Sequence, residues 1–239
     1  FQKNKRFWKK NSVQIKNNKN VIVIEYVPFS HVGIGVLFLA SIVSIIRKAK
    51  IIAVVIDPNI GKENFSDFMY YSFPNVSFHF VSETIKINND KILHNTSKIY
   101  EGLKTVDDIL KINYNGLQIG DIIYDSSQRL IPQSASVWEI DGRIYKTIFN
   151  SIALYETLNY INNNFEIVSS CSSHCVGISS IIIRYYSFMG IESFVGAAGL
   201  GPISKYSDFN NHRVEFHLQI NNEIIEKILN DKTLKSNFL

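Results

Sequence analysis

Cysteine is scarce in this chain, which has only Cys171 and Cys175 among its 239 residues. A structural zinc site would need a second cysteine pair, and the C-x3-C spacing is not the C-x-x-C of redox proteins. His174 lies between the two cysteines, but three neighbouring ligands cannot by themselves surround a tetrahedral ion. We therefore predict no metal site, and reduced thiols in a cytoplasmic protein.

Proline, charge and long apolar runs are limited as well. Five prolines and 19% charged residues exclude a disordered or coiled-coil chain, and 46% hydrophobic residues suffice for a core. The apolar run at 32–46 is shorter than the roughly 20 residues that cross a bilayer. A second apolar run at 51–56 follows closely. Strand–helix–strand explains both runs better than a membrane span, in a chain long enough for one large α/β domain.

Acidic residues are absent from the first twenty positions. This segment, which we call the basic arm (1–20), carries seven cations: Lys3, Lys5, Arg6, Lys9, Lys10, Lys16 and Lys19. Such a segment either contacts anionic lipid or another polyanion, or is a solvated tail. Phe7 and Trp8 lie among the lysines, but no stacking module follows them, so we predict no nucleic-acid partner.

What the sequence does contain is an alternation of apolar strands and helices. It predicts the following elements: strands at 21–29, 50–58, 76–82, 165–170 and 191–199; helices at 30–48, 143–163, 175–190 and 221–234; and weaker helices at 65–73 and 103–112. Strands that are apolar on both faces are typical of parallel sheets covered by helices. We predict a doubly wound, mostly parallel, Rossmann-like α/β sheet with helices on both faces over 21–205, followed by a C-terminal tail or helix at 206–239.

Small and polar residues follow the predicted strands and should meet at the carboxyl edge of the sheet, where ligands bind in such folds. They are His31, Gly33 and Gly35 after the first strand, Asp57 and Asn59 after the second, His174 after the late strand, and Gly196, Gly199 and Gly201 after the last. The sequence therefore predicts one crevice that is assembled from distant loops.

The histidines and glycines of this edge each have two possible roles. His174 and His31 are either general bases, since imidazole titrates near neutrality, or caps and structural residues at helix starts. Gly33 and Gly35 either let the backbone approach an anion or pack the helix tightly on the sheet. They lack the third glycine of a dinucleotide fingerprint. His79, inside a strand, is expected to be structural.

A second group of charged residues lies in GDIIYDSSQR, residues 120–129, with two carboxylates, Asp121 and Asp125, and a cation, Arg129. From composition alone the segment fits the end of a strand and a turn. Its Asp–Arg pair would then be solvated and would contribute little stability.

The segment LQIGDIIYDSSQRL resembles a signature of bacterial surface-carbohydrate and capsular-polysaccharide biosynthesis proteins, GD-hydrophobic-hydrophobic-YD-x-x-x-R. Those proteins look like glycosyltransferases of the GT-B type. The resemblance covers roughly residues 20 to 200 and departs from the signature where this chain has small or polar residues between YD and R, and Cys175-Val176 after His174. Beyond this segment, the resemblance continues through Ser173-His174, Gly177-Ile178 and Ile183-Arg184-Tyr185.

The resemblance implies an acceptor-side Rossmann-like domain of an enzyme that moves a sugar from a nucleotide-sugar to a glycan or lipid-linked acceptor. It implies no cofactor beyond this donor co-substrate. The implied base is His174, His31 or Asp125. The implied substrate contacts are Gly33, Gly35, Asp121, Arg129, Ser173 and Gly199, with Arg184 as an alternative to Arg129.

The resemblance also implies a second Rossmann-like domain that holds the donor, and the residues after Gly201 are too few to form one. We therefore expect that domain outside this chain. The expected location is cytoplasmic, with peripheral contact at the inner face of the membrane through the basic arm. A non-catalytic glycan- or nucleotide-binding module and another nucleotide-dependent Rossmann-like enzyme are the alternatives.

Overall fold

The computed structural model of the protein describes residues 2–11, 19–28, 31–67, 70–73, 75–130, 137, 139–173, 176–196 and 203–206. The helices are α1 (Gln2–Asn11), α2 (His31–Arg47), α3 (Val81–Gly102), α4 (Val106–Ile109), α5 (Gly120–Gln128), α6 (Gly142–Asn164) and α7 (Ser180–Phe188). The strands are β1 (Asn20–Glu25), β2 (Lys50–Val55), β3 (Val76–Phe80), β4 (Asn113–Tyr114), β5 (Leu117–Gln118), β6 (Glu166–Ser172), β7 (Ser193–Gly196) and β8 (Ile203–Tyr206). Two 3-10 turns span Lys62–Asn64 and Tyr70–Ser72.

The main sheet has the strand order β3-β2-β1-β6-β7-β8. Its first five strands are parallel, and β8 pairs antiparallel with β7 at the edge. Strands β4 and β5 form a separate hairpin. The prediction of a doubly wound, mostly parallel α/β sheet is therefore confirmed.

Helices cover both faces of the sheet because the central strands are apolar on both. In β1, Ile22 and Ile24 face the layer that contains α1 and α2, whereas Val21 and Val23 face the opposite layer. That opposite layer is larger and is built from α3 to α7. The long helix α6 crosses it, and its N-cap Asp141 accepts a hydrogen bond from the backbone of Arg143 at 2.8 Å. The helix predicted at 143–163 is confirmed.

Four predicted elements differ from the structure. The polar region after residue 83 was expected to hold only a helix near 103–112, but the 22-residue helix α3 fills most of it. Residues 120–128 form helix α5 and not the end of a strand and a turn, because Ile119, Ile122 and Ile123 are buried together at helical spacing. Within the stretch 65–73, where a helix was expected, the described residues contain the 3-10 turn Tyr70–Ser72, and the strand expected at 76–82 ends at Phe80.

The basic arm contains helix α1, which docks on the domain. Trp8 is only 4% exposed, and its ring lies 5.9 Å from the ring of Phe38 on α2 and 5.3 Å from that of Phe73. The hydrophobic core of the α2 layer therefore extends into the arm. Residues 207–239, including the helix expected at 221–234, lie outside the described residues. Over the described ranges, no helix combines the length and apolarity that a membrane crossing requires.

His79 in β3 has a structural environment. Its ring lies 5.7 Å from the Phe165 ring and 6.0 Å from the Tyr160 ring. Burial, and then the charge of Lys62, lower the pKa of His79 from its ordinary 6.5. The folded protein therefore holds this imidazole neutral at a pH where the unfolded chain begins to protonate it.

The free energy of unfolding should consequently fall as the pH drops below about 6.5, because the unfolded chain then binds the extra proton. The contribution of one such group is at most about 1.4 kcal/mol per pH unit. His79→Phe keeps the ring contacts. It should reduce the slope of the free energy of unfolding against pH between neutral pH and pH values near 5. Urea unfolding at several pH values measures it. His94→Phe, at an exposed position on α3, is the matched control, and an equal change of slope in both variants would contradict the assignment.

Candidate functional site at the carboxyl edge of the sheet

The sheet reverses its winding between β1 and β6. From β1 the chain continues through α2 to β2 on one side, and from β6 it continues through α7 to β7 on the other side. Helices α2 and α7 belong to opposite layers. In this fold class the loops that leave such a pair of strands diverge, and the crevice between them is the usual place for a ligand. His31 begins α2, the helix that follows β1, and β6 pairs parallel with β1, so both strands end at the same edge of the sheet.

A buried carboxylate joins the two strands at this point. Glu25, the last residue of β1, is 3% exposed, and its Oε1 accepts a hydrogen bond from the backbone N–H of Ser173 at 2.6 Å. The Ser173 hydroxyl donates a second, short hydrogen bond to the same oxygen. Ser173 is itself buried directly after β6. The carboxylate thus fixes where the loop that carries His174 leaves the sheet.

Two tyrosines hold the chain after β1. The Tyr26 hydroxyl donates to Asp67 at 2.8 Å, and the same carboxylate accepts from the backbone N–H of Tyr70 at 3.1 Å. The Tyr70 hydroxyl bonds both backbone groups of Val27, accepting from N–H at 3.0 Å and donating to C=O at 3.3 Å. Burial raises the pKa of both tyrosines, and the Asp67 carboxylate adds to the rise. Both hydroxyls therefore stay protonated and keep donating.

The glycines at the start of α2 have different surroundings. A Cβ at Gly33 would lie 2.7 Å from the Val27 carbonyl oxygen and 3.5 Å from the Tyr70 hydroxyl, so only glycine lets the helix approach the preceding strand so closely. Gly35 is half-buried, and His31 is the first residue of the helix. The structure places Gly33 against protein backbone, in agreement with tight packing of the helix on the sheet.

Helix α5 contacts the loop between β6 and α7. Asp125 Oδ2 accepts a hydrogen bond from the backbone N–H of Gly177 at 2.9 Å and another from Arg129 Nε at 3.1 Å. Gly177 has φ +63°, a left-handed conformation that favours glycine. Asp125 thus links two segments that are 52 residues apart in sequence. Arg129 is more than half exposed, so its ion pair contributes little stability.

Asp121 is engaged elsewhere. It forms a bidentate pair with Arg184 on α7, with N–O distances of 2.6 and 2.8 Å, and Arg184 also donates to the Gln118 carbonyl at 2.9 Å. The Arg184 side chain is 3% exposed. This pair lies inside the protein between α5, β5 and α7, and it fixes how these elements pack.

The predicted site residues therefore separate into three groups. Gly33, Ser173 and Asp125 belong to the segments that meet at the sheet edge, whereas Asp121 is held by a buried arginine. His174 and Gly199 lie outside the described residues, as does the side chain of His31. Cys171 is fully buried in β6, and burial raises the pKa of its thiol to about 12, so it remains a thiol at neutral pH.

Sequence reasoning missed several of the residues that build the edge. Glu25 is the only acid in an apolar strand, at its carboxyl end, and that position was a usable signal. Asp67 and Tyr70 gave no comparable signal, because their partners are distant in sequence and their roles depend on how the loops fold together.

Other features of the described residues lie outside this edge. No three His, Cys, Asp or Glu side chains among them are grouped so that they could hold a metal ion. A cavity of about 480 Å³ opens between the end of α3, α4 and the β4–β5 hairpin, with Lys98, Lys111 and Tyr114 in its lining. None of its lining residues belongs to the sheet edge.

Comparison with known proteins identifies no relative: no family model, no curated protein and no solved structure matches this chain.

Proposed function

We propose that this domain is the acceptor-side half of a GT-B-type glycosyltransferase that acts in surface-polysaccharide biosynthesis. Its substrate is a glycan or a lipid-linked glycan, bound in the crevice between the loops after β1 and β6. A nucleotide-sugar is the co-substrate, bound by a second Rossmann-like domain outside this chain.

The observation that carries the proposal is the contact between Asp125 and Gly177 at 2.9 Å. It brings together the two segments that carry the resemblance to polysaccharide-biosynthesis proteins, GDIIYDSSQR and the stretch after Ser173. They meet beside the point where the doubly wound sheet reverses, which is where this fold class binds its ligands. The resemblance supplies the chemistry, since the fold alone does not determine a function.

In the proposed transfer, the oxygen of an acceptor hydroxyl attacks the anomeric carbon of the donor sugar. The bond between that carbon and the diphosphate oxygen breaks, and the nucleoside diphosphate leaves. The hydroxyl proton passes to a base, for which His174 and His31 are the candidates. We assign Asp125 to positioning the loop that carries His174, because its Oδ2 already accepts two hydrogen bonds.

A turnover assay with nucleotide-sugars and glycan acceptors tests the proposal, with the donor-binding domain present. We expect an acceptor lengthened by one sugar and an equal amount of released nucleoside diphosphate. His174→Ala should lower the rate at least about a hundredfold if His174 is the base. His94→Ala, at an exposed position on α3, should leave it unchanged.

Binding measurements on this chain distinguish the alternatives. Calorimetry should detect glycan binding to this chain, because the proposed acceptor crevice lies within it. Glycan binding that never leads to turnover would favour the non-catalytic module. Binding of NAD with no response to glycans or nucleotide-sugars would overturn the proposal.

A further inference from the structure

The outer face of α2 is apolar and exposed along its whole length. Four large side chains recur at intervals of four residues and form what we call the α2 stripe: Ile34, Phe38, Ile42 and Ile46. An interval of four keeps successive side chains on one face of a helix. Each is more than a third exposed, and Ile46 is 70% exposed. Contiguous apolar surface of this kind marks an interaction site in soluble domains.

Helix α1 extends the stripe. The Trp8 ring lies between two exposed rings, 5.2 Å from Phe7 on α1 and 5.9 Å from Phe38 on α2. Phe7 is about as exposed as Phe38. The two helices therefore present one apolar surface, and the buried Trp8 holds α1 in place beside α2.

The charged residues around this surface are almost entirely cationic. Lys3, Lys5 and Arg6 are exposed on α1, and Lys48 and Lys50 are exposed just after α2. No acid occurs before Glu25 in the sequence. At the end of α2, the acid Glu192 pairs with Arg47 at 2.7 Å and is neutralised by it.

We propose that the α2 stripe and helix α1 form a docking surface for an anionic lipid bilayer, with the apolar side chains inserted at the level of the headgroups. An exposed apolar face with lysine and arginine at its border is the combination that binds such surfaces. A protein partner would need acids facing these cations as well as an apolar groove, whereas a bilayer supplies both the apolar layer and a uniform negative charge. With 17 residues, α2 lies along the surface.

The geometry gives this docking a consequence for the crevice. Helix α2 is the crossover from β1 to β2, so Ile34, in its first turn, lies at the end of the helix near the sheet edge that holds Glu25 and Ser173. A bilayer seated on the α2 stripe would therefore lie next to the crevice. The inference does not depend on the proposed sugar transfer, because lipid binding is measured without any substrate.

Co-sedimentation with vesicles tests the proposal. The protein should sediment with vesicles of phosphatidylcholine and phosphatidylglycerol in equal parts, should bind pure phosphatidylcholine far more weakly, and should be released by salt. Each cation near an anionic surface contributes about a fivefold increase in binding. The triple variant Lys3→Gln, Lys5→Gln, Arg6→Gln should therefore bind about a hundredfold more weakly.

A matched pair of variants tests the apolar part. Ile46→Glu on α2 should reduce vesicle binding at least tenfold, whereas Ile87→Glu should not change it. Ile87 is 79% exposed on α3, on the opposite face of the sheet, so the pair compares the same substitution at two equally exposed positions. Circular dichroism should show both variants folded, since neither side chain is buried.

Three results would overturn the proposal. The first is no sedimentation with the anionic vesicles. The second is equal binding by Ile46→Glu and Ile87→Glu. The third is a stable dimer in sedimentation velocity that Ile46→Glu dissociates, because the α2 stripe would then be the contact between two copies of the chain.

Discussion

Gly120→Ala should be among the most destabilising single substitutions in this protein. A Cβ at Gly120 would collide with the carbonyl oxygen of Ile109 and would lie 2.6 Å from the carbonyl carbon of Leu110. Both atoms belong to the backbone, so no side-chain rotation relieves the collision, and α5 would have to move away from α4. Overpacking costs about 1–3 kcal/mol, and more where backbone must shift. We expect a loss of at least about 3 kcal/mol in the free energy of unfolding.

Gly142→Ala is the matched control. Gly142 is the first residue of α6, as Gly120 is the first residue of α5, but a Cβ at Gly142 would meet no atom within 4 Å. Replacing a glycine at a compatible position stabilises by about 0.4–1 kcal/mol through the unfolded chain. Urea unfolding followed by circular dichroism measures both variants. Similar free energies of unfolding for the two would contradict the close approach at Gly120.

Asp121→Ala should destabilise the protein by about 3–5 kcal/mol, because it leaves a buried charge without a partner. Arg184 is 3% exposed and has both terminal nitrogens on Asp121, at 2.6 and 2.8 Å. The remaining contact to the Gln118 carbonyl cannot neutralise the guanidinium. Such a loss is a large part of the roughly 5–15 kcal/mol that stabilises a typical domain.

Two further variants separate burial from charge. Glu83→Ala removes an acid from the first turn of α3, whose 2.9 Å pair with Lys86 is exposed, and it should cost less than about 1 kcal/mol. Adding Arg184→Met to Asp121→Ala removes the stranded charge and should recover part of the lost stability. A double variant that is less stable than Asp121→Ala alone would show that Arg184 contributes mainly through packing.

The two predictions together explain the Gly-Asp pair of the GDIIYD segment in physical terms. Gly120 lets α5 approach the backbone of α4, and Asp121 joins α5 to α7. The sequence interpretation assigned Asp121 to substrate contact. The structure gives it a partner inside the protein, and among the charged residues of this segment it is Asp125 that reaches the loop after β6.

The helix α3 shows why part of the fold escaped prediction. Its sequence contains many polar residues, Asn and Lys among them, and they made it hard to recognise that Ile85, Ile92 and Ile99 recur every seven residues. Ile92 is fully buried, and the other two pack against the same core. The pattern is narrow because α3 packs mainly against α6, and many of its other side chains are exposed.

The sequence by itself determined the parallel strands of the sheet and the helices α2, α6 and α7 that cover it. Runs of β-branched residues such as those of β1 and β2 are stable only when both faces are buried, and the crossover helices between parallel strands supply that cover. The carboxyl edge of β1 and β6 followed from the same reasoning, because parallel strands end on one side.

The tertiary structure decided which side chains meet at that edge. Glu25 binds Ser173 across 148 positions, and Asp125 binds Gly177 across 52. Trp8 anchors the basic arm beside Phe38. These contacts depend on strand register and on the angles at which α1 and α5 pack. That geometry results from many contacts between residues distant in sequence, so a local sequence pattern does not predict it.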